Sequence, residues 1–211
     1  MNSTYFFTDF AKQQAEFAQL KFLKSHGSSL VGFIGLYGNA SILAAEELNA
    51  ENASIWQTLS GQRELYACPS AAARRGIDTT QPPRPGLRWL SLAGMLQRLA
   101  PDDGEPQAIA ICLASDCDWA RTEALELCLA ALALDFEVQL HLRGAGILGL
   151  QRSLARNGAK GYASLALFGL THAWIASAEI AALAPLQLLA DSLSLPWQIG
   201  AVRQVPLLWE F

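Results

Sequence analysis

The sequence predicts an α/β protein made of two tandem units, each a mainly parallel sheet with helices on both faces. Three observations carry that expectation. Short apolar runs alternate with helical ones along the chain, as they do where a parallel sheet is connected by crossover helices. A run of breakers and acids, Ala100-Pro-Asp-Asp-Gly-Glu-Pro-Gln107, falls close to the midpoint of the 211 residues and reads as a linker. The order of elements before that run returns after it, which places one domain over residues 1–104 and a second over 105–211.

In chain order, residues 3–8 read as a strand. Residues 10–25 read as a helix, with Ala15, Phe17, Ala18, Leu20 and Phe22 among its apolar positions and Gly27 as its stop. Residues 30–37 form an apolar strand, followed by Gly38-Asn39-Ala40-Ser41-Ile42-Leu43. Residues 64–68 read as a strand that runs into a helix with Pro69 at its first position and Gly76 just past its end. In the second half, residues 108–114 are a strand, 119–134 an amphipathic helix and 137–142 the next strand. Gly144-Ala145-Gly146-Ile147-Leu148 then repeats the glycine-led segment of the first half. His172-Ala173-Trp174-Ile175-Ala176 lies where the duplication sets it against Glu64 to Cys68, again leading into an Ala-rich helix.

Hydrophobic residues make up 52% of the chain and charged residues 16%, against about 25% charged in typical soluble proteins. The balance excludes a disordered chain and predicts surface covered by other subunits, since interface cores are depleted in charge. The most apolar long window, residues 173–190, holds Glu179, Pro185 and Gln187 and reads as strand and helix rather than a membrane span. With no basic segment ahead of an apolar one at the N-terminus, the expectation is a cytoplasmic protein.

The net charge of −4 and a pI near 5.4 argue against a general positive field for nucleic acid. One segment departs from this balance: between Cys68 and Arg98 stand Arg74, Arg75, Arg84, Arg88 and Arg98 against the single acid Asp78. Arg74 and Arg75 either offset the negative end of the helix after Cys68 or, with Arg84 and Arg88 in the Pro-rich loop, form a basic rim for an acidic partner or RNA.

The four cysteines, Cys68, Cys112, Cys117 and Cys128, have neither zinc-knuckle nor CxxC spacing, so no metal and no cofactor is expected. Cys68 is the candidate catalytic residue. It caps a helix at the end of a strand, where free backbone N–H groups and the helix dipole favour a thiolate. The strand ends of a parallel sheet line a crevice, so the position is expected to be exposed. Cys112, inside a strand, and Cys128, on an apolar helix face, read as core. Cys117, in the loop Ser115-Asp116-Cys117-Asp118, is the second choice, because its two flanking aspartates disfavour a thiolate. His26, His141 and His172 have no spacing that pairs them with Cys68, and neither a GxSxG elbow, a P-loop nor GxGxxG occurs.

The run Leu65-Tyr66-Ala67-Cys68-Pro69-Ser70-Ala71-Ala72-Ala73-Arg74-Arg75-Gly76-Ile77 resembles the cysteine segment of the TusD/DsrE sulfur-relay family. Leu23 to Gly27, the strand to Tyr37 and Asn39 fit the same family. The second half resembles the TusC/DsrF family in Gly144 to Leu148 and in Leu167-Phe168-Gly169-Leu170-Thr171-His172-Ala173-Trp174-Ile175. The chain therefore looks like a TusD–TusC fusion of two tandem DsrE/F-like units. The resemblance implies a relay in which Cys68 accepts persulfide sulfur from a TusA-like carrier. It passes the sulfur toward a TusE-like acceptor for the 2-thiouridine of tRNA wobble positions, with a TusB-like subunit in a homo- or hetero-oligomer. Three positions depart from the family pattern: Pro69 replaces a small or branched residue, the loop at Thr8-Asp9-Phe10 is short, and Ala176 stands where a second cysteine is expected. The last implies one relay thiol per chain. A non-catalytic scaffold of the same fold and a carrier of dissimilatory sulfur oxidation remain alternatives, while an independent cysteine enzyme requires a base or resolving thiol near Cys68.

Overall fold

The computed structural model describes residues 3–7, 31–45, 48, 50–62, 64–99, 108–155, 160–170, 173–175, 197–199 and 207–210. The predicted helix at 10–25, the run at 100–107 and the Ala-rich helix after Ile175 lie outside the described residues, as do His26, His172 and Ala176. The chain divides into two compact units, Met1–Met95 and Leu96–Phe211, each built on a parallel sheet with helices. Among the described residues no helix is long and apolar enough to cross a membrane.

The first unit carries β1 (Ser3–Phe7), β2 (Val31–Leu36), α1 (Ala50–Gln62), β3 (Glu64–Ala67), α2 (Pro69–Ala73) and β4 (Leu87–Trp89). Its four strands are parallel and lie side by side in sequence order. Register pairs Leu36 with Ala67 and Ala67 with Trp89. A 3-10 turn, Gly38–Ala44, follows β2 and packs against α2. The backbone enters it through extended Tyr37 and then Gly38 at φ +60, a conformation that glycine adopts without steric cost. The Ser41 hydroxyl closes the turn on the Gly38 carbonyl at 2.7 Å.

The helix α3 (Leu92–Gln97) follows β4 and spans the division between the units. The second unit holds β5 (Ala108–Leu113), α4 (Asp118–Leu132), β6 (Glu137–Leu142), α5 (Gly144–Ala155), α6 (Lys160–Ser164), β7 (Ala173–Ile175), β8 (Trp197–Ile199) and β9 (Leu207–Glu210). All five strands are parallel in the order β8-β7-β6-β5-β9. Four of them thus again run in sequence order, and the fifth joins on the far side of β5. β5 reads Ala-Ile-Ala-Ile-Cys-Leu and is buried on both faces from Ile109 to Leu113, as a central parallel strand must be. Ala124, Leu127, Cys128 and Ala131 are the buried stripe of α4, which packs on β5 and β6.

Three helix ends close in the same way. After α2, Ile77 N–H donates to Ala72 O and Gly76 N–H to Ala73 O, with Gly76 at φ +77. After α4 the corresponding bonds run from Phe136 to Ala131 and from Asp135 to Leu132, and Asp135 takes φ +61. After the 3-10 helix Leu165–Phe168 they run from Leu170 to Leu165 and from Gly169 to Ala166. These paired bonds satisfy carbonyls that a helix end otherwise leaves open.

The two glycine-led segments matched by sequence fold differently. Gly38–Ala44 is a 3-10 turn, whereas Gly144 opens the twelve-residue helix α5. Both begin at the second residue past the second strand of their unit, at a glycine with positive φ. In α5 the glycines permit close packing: a Cβ at Gly146 would fall 2.2 Å from the Leu113 carbonyl oxygen, and one at Gly149 would fall 2.7 Å from Asp116 Cα.

Candidate functional site

Cys68 sits one residue beyond the last register pair of β3, at the C-terminal edge of the first sheet. Its N–H donates to Leu36 O at 3.0 Å, and beside it Leu90 N–H donates to Ala67 O at 3.0 Å. Both neighbouring strands therefore extend their ladders to the level of Cys68, with Tyr37 on one side and Leu90 on the other. Extended at φ −76 and ψ 117, Cys68 is the N-cap of α2, with Pro69 at the first helical position. Its carbonyl accepts the first helical bond, from Ala72 N–H at 3.1 Å. Its side chain makes no capping hydrogen bond. The strand, cap, proline and terminating glycine all stand where the sequence put them.

Burial corrects the sequence reading. Cys68 was expected at an exposed edge, and it is 2% exposed. Tyr37, which follows β2 at the same edge, is also buried, and the turn after it lies against α2, whose Ala71 and Ala72 are buried too. A thiol held this way meets another protein only after local opening.

The arginines around Cys68 hold the fold together. Arg75 Nη1 donates to the Ala71 carbonyl at 3.0 Å, the helix-end role. Arg84 donates from Nε to Leu43 O at 2.9 Å and from its backbone N–H to Ala44 O at 3.0 Å, and its guanidinium carbon lies 5.4 Å from the centre of the Trp56 ring. Arg88 pairs with Glu64 at 3.5 Å in an exposed position. Arg75, Arg84 and Arg88 thus each engage a partner within the first unit, and Arg88 does so from an exposed position.

In the second unit the exposed thiol is Cys117. It too is an N-cap, of α4, at φ −67 and ψ 137. Its loop is held from two helices: Arg152 on α5 donates to the Asp116 carboxylate at 2.8 Å, and Arg121 on α4 donates to Asp116 O and to the Asp118 carboxylate. Tyr162 on α6 donates 2.6 Å to Arg121 O. The sequence reading ranked Cys117 second on charge, and exposure reverses the order of access. Cys112 and Cys128 are buried, as their sequence positions implied. Burial pushes the Cys128 thiol far up.

His141 is the only histidine among the described residues. It lies on β6 in register with Cys112 on β5 and Trp174 on β7, is 3% exposed, and stacks on Trp174 with ring centres 6.0 Å apart. Its Nε2 and the Gln139 Oε1 are buried without a hydrogen-bond partner. Burial first, and the Arg143 charge second, push its pKa below 6.5. It belongs to the second sheet, whereas Cys68 follows a strand of the first. Sequence reasoning saw His141 only as a strand residue; the alternation Glu-Val-Gln-Leu-His-Leu, with polar positions on one face, was the available signal. Among the described residues, no three His, Cys, Asp or Glu side chains converge as a metal site.

Compared with protein-family models, curated proteins and solved structures, the chain matches none.

Proposed function

We propose that the chain is a cytoplasmic sulfur-relay protein, a fusion of a TusD/DsrE-like unit over 1–104 and a TusC/DsrF-like unit over 105–211. Cys68 is its relay thiol. The observation that carries the reading is the placement of Cys68, which ends a parallel strand, caps α2 through Pro69 and precedes the Arg-Arg-Gly turn. That is the local shape the sequence resemblance implies. The shared order of four parallel strands in each sheet also favours two related units.

In this reading the Cys68 thiolate attacks the terminal sulfur of a TusA-like donor persulfide. The S–S bond of the donor breaks, the donor leaves as a thiolate, and Cys68 becomes the persulfide. A TusE-like acceptor thiolate then takes the same sulfur and returns Cys68 to the thiolate, so the two exchanges need no oxidant. A TusB-like subunit completes the assembly, and the low charge content fits a chain whose surface is shared with other subunits. The product is the 2-thiouridine of tRNA wobble positions.

The test is the 2-thiouridine content of tRNA in cells that depend on this chain. Cys68→Ser is expected to abolish it, whereas unchanged thiolation would end the reading. A second reading, a non-catalytic scaffold of the same fold, is favoured by the burial of Cys68 and is selected by that second outcome.

A further inference from the structure

We infer that the turn Gly38–Ala44 is a gate over Cys68 and that Arg84 is its latch; the inference rests on the reading of Cys68 as the relay thiol. A thiol that is 2% exposed cannot meet a carrier protein, so the relay needs an element that moves. The turn is the element in place. It continues from β2, whose Leu36 carbonyl receives the Cys68 N–H, and it packs on the helix that Cys68 caps. It starts at Gly38, where positive φ lets the chain change direction sharply after extended Tyr37.

The far end of this turn is held from outside. Arg84, 41 residues away, donates from its side chain to Leu43 O and from its backbone to Ala44 O, the last two carbonyls of the turn. The loop that carries Arg84 is itself fixed to α1. Trp56 Nε1 donates to Pro85 O at 3.2 Å, the Arg84 guanidinium lies over the Trp56 ring, and Gly86 runs so close to Ser60 that a Cβ there would fall 2.4 Å from the Ser60 Cβ. One side chain therefore joins the gate to the helix layer, through a charge-assisted bond and a cation–π contact. Removing that side chain breaks the bond to Leu43 O and the contact with Trp56, keeps the backbone bond to Ala44 O, and so loosens one end of the turn while β3, Cys68 and α2 stay in place.

The test is the rate at which iodoacetamide alkylates Cys68, read by peptide mass spectrometry across a range of sub-denaturing urea concentrations. Cys117, exposed on the other unit, serves as the internal reference. In the unaltered chain, Cys68 is expected to react at least about tenfold more slowly than Cys117, with the shallow urea dependence of local opening. Arg84→Gln is expected to accelerate Cys68 by about tenfold with the slope still shallow, and Trp56→Phe, which removes the indole N–H bond and weakens the ring contact but keeps the Arg84 bond to Leu43 O, to accelerate it less. An unchanged Cys68 rate in Arg84→Gln would overturn the gate. So would an acceleration with the steep urea dependence of global unfolding, because Arg84 would then act on the whole fold. The reagent does not depend on sulfur transfer: loss of persulfide loading on Cys68 with this labelling pattern intact would refute the relay and leave the gate standing.

Discussion

Arg152 on α5 reaches back 36 residues to the Asp116 carboxylate at 2.8 Å, pinning the loop that carries the exposed Cys117. The pair is exposed to solvent, so Arg152→Ala is expected to cost about 1 kcal/mol or less in urea unfolding. The adjacent close approach is more demanding. Gly146→Ala puts a methyl 2.2 Å from a backbone carbonyl and is expected to cost roughly 1–3 kcal/mol. Equal losses for the two variants would show that α5 does not sit against the end of β5 as described.

The neutral His141 makes stability depend on pH. Its folded pKa lies below the 6.5 of the free imidazole, so above pH 6.5 both folded and unfolded states are neutral there and the full stability is present. As pH falls below 6.5 the unfolded state takes up a proton first, and stability declines until the folded pKa is passed. His141→Phe keeps an aromatic ring against Trp174 and removes the titration. Urea unfolding at a series of pH values is expected to show a shallower acid loss in this variant, and parallel curves would count against a buried neutral imidazole.

Asp135 takes φ +61 at the end of α4, a conformation that costs L residues energy and glycine none. Asp135→Gly is expected to raise stability by about 0.5 kcal/mol, and Asp135→Val to lower it by about 1 kcal/mol or more, since β-branched side chains fit this region worst. Thermal unfolding of the two variants checks the order.

The thiols separate by access. Cys117 is expected to react first with a thiol reagent in the folded protein, while Cys112 and Cys128, both buried, react only on unfolding. Rapid labelling of Cys128 would contradict the packing of α4 on the second sheet.

Much of the fold was legible where the signals are local. The strand ending at Cys68, the proline that starts α2 and Gly76 that stops it are readable because each acts through its own backbone preference. The second unit's β5, α4 and β6 were legible for the same reason: a continuous apolar run, a 3.6-residue period and an alternating strand differ in pattern. Burial of Cys68 was not legible, because exposure at a strand end depends on what distant parts of the chain pack there and not on the local pattern. Nor was the role of Arg84, whose partners at Leu43, Ala44 and Trp56 are brought to it by the fold alone. Asp135 gave no sign of its left-handed backbone, since glycine is the residue that normally marks it.

The central claim is that Cys68 carries sulfur. The direct measurement is mass spectrometry of the purified chain after incubation with cysteine, a cysteine desulfurase and a TusA-like carrier. The expected result is a gain of about 32 Da, one sulfur atom, on the peptide containing Cys68, lost in Cys68→Ser. A loaded carrier beside a Cys68 peptide of unchanged mass would contradict it.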